Sequence, residues 1–271
     1  MRRYPLALPV FGVPVLGKVN PYLVLASTQP LIGVEVELEE AQSPSVTVEG
    51  ARLGWRFELA LKSFVDALSA RLEQPLAARL GVSVEGVEYP PAAPVYAAST
   101  LALVEAVAEA GGYELDREEV LAAASSIDRD AAVWLDYLDG LRAAAYGAGS
   151  IAYRSGEDPL PLGVGGTVAL ELVGEQDIGE DVSTRMSDAL LVGAARLAGS
   201  SVLEAVSALR RREAGFGEVF ALAARVDDAL FYMLYGAEPA GGTCKLTPSL
   251  QRVYGVCLEG SGMGDRVVFS L

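Results

Sequence analysis

The sequence predicts an α+β fold in two layers: an N-terminal mixed sheet carrying helices, then a smaller antiparallel sheet covered by helices. Three observations predict it. Strand-type alternation dominates residues 4 to 50, and helical apolar spacing dominates the stretch from Met186 to Leu234. Between Gly147 and Gly166 the pattern breaks into a Gly/Ser/Pro-rich loop, beyond which strands resume. The expected division is therefore one unit over residues 1–165 and a second over 166–271.

In the first unit, Val34, Val36 and Leu38 alternate with Glu35, Glu37 and Glu39, which predicts a strand with one wet face. Val46 and Val48 begin another, closed by Gly50. Trp55, Leu59, Phe64, Leu68 and Leu72 follow a helical spacing opposite Glu58, Lys62 and Asp66. Val82, Val84 and Val87 suggest a short strand, which runs into Tyr89-Pro90-Pro91-Ala92-Ala93-Pro94. Prolines there are read as excluding a regular element. A second helix is expected from Ser99, with Leu101, Val104 and Ala108 as its stripe and Gly111-Gly112 as its end. Asp116 caps a third through Ala124, and Trp134, Leu138 and Leu141 mark a fourth.

In the second unit, Val168, Leu170 and Leu172 form a strand. Three helices are expected over 186–197, 202–209 and 220–234. A strand from Tyr254 to Leu258, a glycine loop at Gly260 to Gly264, and a last strand from Arg266 close the chain.

Composition narrows the function. Over 271 residues the net charge is −15, which repels nucleic acid backbones and anionic membranes, so the expected partner is a small-molecule metabolite. A local cluster of cations can still hold a small anion. There is no histidine, which removes His-based triads and most zinc sites; no metal ligands are assigned. Cys244 and Cys257 lack metal-ligand spacing and read as reduced core thiols unless two strands bring them together. The scarcity of damage-prone residues, with Asn20 the only asparagine, fits a thermophilic source. Pro5, Pro9 and Pro14 interrupt the apolar start, and no run approaches the roughly 18 apolar residues of a membrane helix, so a cytoplasmic location is expected. A homo-oligomer is left open.

Four constellations can carry chemistry. Gly17-Lys18-Val19-Asn20 sits in a segment read as an apolar strand, where a lysine either meets an anion or extends its head to water. Ser99 or Thr100, at the expected helix start, either caps that helix or binds phosphate there. Gly260-Ser261-Gly262-Met263-Gly264 has more glycine than a tight hairpin needs, which favours close approach of a ligand over a structural turn. Arg154, in the loop Gly149-Ser150-Ile151-Ala152-Tyr153-Arg154, either clamps a carboxylate or phosphate or pairs with Glu157 or Asp158.

In order, these segments resemble the motifs of the GHMP superfamily of small-molecule kinases, over nearly the whole chain. Val13 to Asn20 is similar to its opening strand, Val82 to Thr100 to its phosphate-loop segment, and Gly260 to Gly264 to its glycine-rich third motif. The resemblance implies ATP-dependent phosphotransfer to a hydroxyl of a small anionic metabolite, with ATP and Mg2+ as cofactors. It implies Lys18 and Arg154 as catalytic cations, and Ser99, Thr100, Gly260, Ser261, Gly262 and Gly264 at the nucleotide. Asn20 and Ser150 would sit at the substrate. The departures point to the alternative, a silent metabolite sensor or assembly subunit. Val95 and Tyr96 stand where the family has a flexible Gly-Leu, Tyr153 where it has its catalytic aspartate, and Arg142 near a magnesium-binding glutamate. The string Gly149 to Ser155 is similar to a stretch of the diphosphomevalonate decarboxylase branch.

Overall fold

The structure, a computed structural model, describes residues 1–15, 17–130, 135–175, 186–238, 244–249, 252–258 and 265–269. Strand β1 (Arg2–Phe11) pairs antiparallel with the long β2 (Tyr22–Glu40), which pairs antiparallel with β4 (Leu76–Val84). Strand β3 (Ser45–Glu49) lies parallel to β4, which makes this part of the sheet mixed. The short β5 (Ile151–Tyr153) pairs with the first residues of β2, and β6 (Leu160–Pro161) pairs with β5. The C-terminal strands β7 (Gly166–Glu175), β8 (Cys244–Ser249), β9 (Arg252–Leu258) and β10 (Asp265–Phe269) are antiparallel in the order β10-β7-β9-β8. Val268 of β10 pairs with Gln29 of β2 and joins the two groups.

β2 shows how burial is distributed. Tyr22 to Ala26 is buried throughout, as a strand covered on both faces must be, whereas Val34 to Glu39 alternates, with its glutamates turned to solvent. Helix α1 (Trp55–Leu72) packs on β3 and β4, and α2 (Ala92–Ala110) on β1 and β2. Helices α3 (Arg117–Ile127) and α4 (Leu135–Ala143) pack against α2. In the second half, α5 (Asp188–Arg211) lies along α6 (Phe216–Tyr235), and both reach β1. Asp116 caps α3 with a capping box shared with Glu119, as its sequence position predicts.

Five expectations are corrected. Lys18 lies in the turn between β1 and β2, not in a strand, its N–H bonded to the Val15 carbonyl at 3.0 Å. Helix α2 begins at Ala92 rather than Ser99, because Pro91 is its N-cap and Pro94 falls in the first turn, where a missing N–H costs no helical hydrogen bond. The helices expected over 186–197 and 202–209 are one. Gly199 does not break it, because the missing side chain admits Pro21: a Cβ there would lie 3.2 Å from the proline Cδ. Strand β8 was not foreseen. It brings Cys244 directly opposite Cys257, and the two form a disulfide rather than free thiols. Helix α5 is long and apolar enough, by length and composition, to cross a membrane, yet it packs against α6, β1 and β2.

Candidate functional site

A cavity of about 610 Å3 opens between the β1–β2 turn, the β5–β6 segment and α5. Lys18, Arg154 and Arg196 line it, and so do the carboxylates Glu157 and Asp158 and the phenol of Tyr153. Three segments of the chain deliver them, the β1–β2 turn, the β5–β6 segment and α5, so the cavity forms only where these pack together.

The charges are partly committed. Lys18 donates to Asp188, in the first turn of α5, and Arg154 pairs with Glu157 at 2.7 Å on an exposed part of the rim. Among the described residues, Arg196 has no ion-pair or hydrogen-bond partner, and neither has Asp158. Sequence reading missed Arg196. Its signal was a lone cation at an otherwise apolar face of α5, and that face is visible only when the helix is drawn as one. Tyr153 lies over Gly140, where a Cβ would come within 3.0 Å of its ring. Burial, then the nearby Asp139 and Asp136 carboxylates, push its phenol well above the usual tyrosine range, although a hydrogen bond with Ser155 opposes them. At neutral pH Tyr153 is therefore a hydrogen-bonding group and not a base.

The other predicted residues lie apart. Asn20 is buried, and its amide donates to the Val13 and Pro21 carbonyls at 3.2 and 3.4 Å while its oxygen accepts from the Tyr22 hydroxyl. It shapes the turn that carries Lys18. Ser150 is also buried, and its hydroxyl accepts from the Ala26 N–H at 3.4 Å. Ser99 and Thr100 are in the third turn of α2 and fully buried. Among the described residues the Ser99 hydroxyl has no partner, and that of Thr100 accepts from Arg142 at 2.9 Å. Gly260, Ser261, Gly262 and Gly264 lie outside the described residues.

Behind Thr100 lies a charge network. Arg142 binds Asp128 with both terminal nitrogens, at 2.6 and 2.5 Å, and Asp139 at 3.0 Å, while its guanidinium stands 5.7 Å from the Tyr96 ring centre. Tyr96 donates to Asp128 at 2.8 Å and stacks on Phe57, and Val95 is also fully buried. The α2 start is unlike a phosphate cradle. Of the N–H groups that a helix start leaves unpaired, those of residues 91 and 94 are absent because both are prolines. The Tyr254 hydroxyl of β9, in turn, binds the Pro90 carbonyl at 3.3 Å.

A second buried pair ties the end of the chain to its beginning. Lys245 of β8 meets Asp227 of α6 at 2.5 Å, and the same carboxylate oxygen accepts the Gly12 N–H at 2.9 Å.

No protein-family model matches the sequence, and no curated protein matches it. Solved structures do. Mevalonate diphosphate decarboxylase from Staphylococcus aureus superposes with a TM-score of 0.64 at 11% identity, over 99% of this chain and 94% of that one. Phosphomevalonate kinase from Streptococcus pneumoniae, solved with phosphomevalonate and AMPPNP, gives 0.62 at 10% identity, over 96% and 92%. Homoserine kinase from Cytophaga hutchinsonii gives 0.56 at 16% identity, over 95% and 84%. The chain has the GHMP-kinase-like fold. Within that fold, the segments compared with the opening strand and the catalytic-aspartate loop both contribute to the cavity, through Lys18 and Tyr153. Of the segment compared with the phosphate loop, residues 92–100 form the largely buried start of α2.

Proposed function

We propose that this GHMP-fold chain binds a small anionic metabolite in the cavity between Lys18, Arg154 and Arg196, and does so without phosphoryl transfer. The observation that carries the reading is Arg196: a cation on the cavity wall with no partner among the described residues, in a chain of net charge −15. Arg196 is exposed at that wall and can turn toward an anion that enters beside Lys18 and Arg154.

Phosphoryl transfer needs a cradle for the triphosphate and a group to orient or deprotonate the hydroxyl. The α2 start does not fit a triphosphate: prolines stand at 91 and 94, and Val95 and Tyr96 turn into the core. At the position compared with the catalytic aspartate stands a phenol that holds its proton. One observation favours the kinase reading all the same. Asp158 is a carboxylate at the cavity with no partner among the described residues, in a fold of which one solved member was determined with phosphomevalonate and AMPPNP.

The test is calorimetry and coupled turnover. Inorganic phosphate and small carboxylic acids should bind, and Arg196→Gln should weaken that binding about tenfold, the loss of one charge-assisted contact. Mg-ATP should give neither heat at millimolar concentration nor ADP release with a panel of hydroxy acids. Turnover above the Asp158→Asn background would establish the kinase reading instead.

A further inference from the structure

Cys244 of β8 stands directly opposite Cys257 of β9, and Ala169 of β7 stands opposite Cys257 on its other side. Residues opposed across antiparallel strands share a face of the sheet, and so do residues two apart on one strand. Glu171, two residues beyond Ala169, is therefore on the face that carries both sulfurs. Its cross-strand partner is Gly255, which has no side chain to stand between them. Over that gap the Glu171 carboxylate and the two sulfurs lie within 4.8 Å of one another. A Cβ at position 255 would sit 3.8 Å from the Cys257 sulfur, so the glycine keeps that flank clear. Two thiolates and a carboxylate suit a thiophilic divalent cation such as Zn2+. Bonds of about 2.0–2.3 Å set neighbouring ligand atoms roughly 3.5–3.8 Å apart around a tetrahedral ion, a side-chain rotation away from this arrangement. The disulfide withholds both thiolates. None of these residues lines the cavity beside Lys18.

The geometry points to a redox-gated metal site: Cys244, Cys257 and Glu171 together hold one thiophilic divalent cation when the disulfide is reduced, and none when it is formed. Opening the gate takes two electrons and two protons from a dithiol, which leaves as its own disulfide; the S–S bond breaks and two thiols form. The incoming cation displaces both thiol protons, and water takes the fourth position. A chain of net charge −15 draws such a cation toward its surface. The site is independent of the anion-binding cavity.

Titration with Co2+ tests it, because thiolate bound to cobalt absorbs in the near ultraviolet. In the reduced parent, kept free of oxygen, this absorption should rise to an end point of one equivalent and bleach when Zn2+ is added. The oxidised parent should show none. Removing even an outer partner of a metal ligand costs about tenfold or more in affinity, so Glu171→Gln should weaken Co2+ binding by at least about tenfold. Cys244→Ser, at the half-buried cysteine, should lose the tight binding even under reductant. Melting gives an independent readout: Zn2+ should raise the Tm of the reduced protein and leave that of the oxidised protein unchanged. A reduced protein with neither the thiolate absorption nor a melting shift would overturn the site. Equal Co2+ affinity before and after reduction would overturn the gate. An end point at half an equivalent would assign the ion to two chains, and Glu171→Gln matching the parent would remove the carboxylate; either result overturns the three-ligand site.

Discussion

Arg142 grips Asp128 with two parallel hydrogen bonds of 2.6 and 2.5 Å inside the core, where the side chains are 1% and 0% exposed. Removing only the cation leaves a carboxylate buried with no counter-charge. Arg142→Met should therefore cost about 3–5 kcal/mol of stability in urea denaturation. The double variant Arg142→Met, Asp128→Leu should recover most of that loss, since a well-packed apolar pair replaces a buried ion pair at little cost. A single variant within 1 kcal/mol of the parent would show that the network does not hold α2 to α4.

Asp136 supplies a pH signature. Burial, then the neighbouring Asp139 carboxylate, raise its pKa, and a hydrogen bond with Ser155 opposes them. A carboxyl with a raised folded-state pKa favours the folded state when protonated, so its contribution is largest in acid and is lost as pH rises through the raised value. Asp136→Asn should melt higher than the parent at pH 7, and the gap should close as pH falls through the carboxylate range. Melting scans of both proteins from pH 4 to 8 check this; a gap that widens in acid would contradict it.

Gly12 and Gly17 separate two costs of adding a methyl group. Both have positive φ, +93 and +70, so alanine is strained at either. At Gly12 the new Cβ would also lie 2.7 Å from the Pro21 carbonyl and 2.9 Å from the Tyr22 ring, whereas at Gly17 nothing stands within 4 Å. Gly17→Ala should cost about 1–2 kcal/mol. Gly12→Ala should cost about 1–3 kcal/mol more from overpacking. Equal losses in denaturant midpoints would show that the Gly12 contacts relax freely.

The Cys244–Cys257 disulfide closes a loop with a sequence separation of 13. Thiol titration of the unreduced, denatured protein should find no free cysteine. Reduction should lower stability by about 3 kcal/mol, the entropy that a cross-link of this loop length removes from the unfolded chain. Two titratable thiols in protein purified without reductant would refute the pairing.

The sequence alone determined what depends on local pattern. Alternating residues at 34–39 and the Asp116 cap each became the predicted element, because strand periods and caps are set by neighbours along the chain. The helix over 55–72 also formed, but it buries Phe57, Ala60, Leu61 and Val65 and leaves Trp55, Leu59 and Leu72 of the expected stripe exposed, because the sheet it meets selects the face. The two-layer α+β class and the GHMP-like order of elements were equally legible. What tertiary structure alone decided depends on which distant surfaces meet. The helices expected over 186–197 and 202–209 are one, with Gly199 packed against Pro21, and the cysteines, read as thiols unless two strands met, are brought together by β8 and β9. Pro91 and Pro94 read as excluding a helix, although a first turn tolerates both. Arg196 was not singled out from the sequence. Its meaning comes from the cavity that Lys18 and Arg154 complete from the other half of the chain, and no local period records a contact made across so many residues.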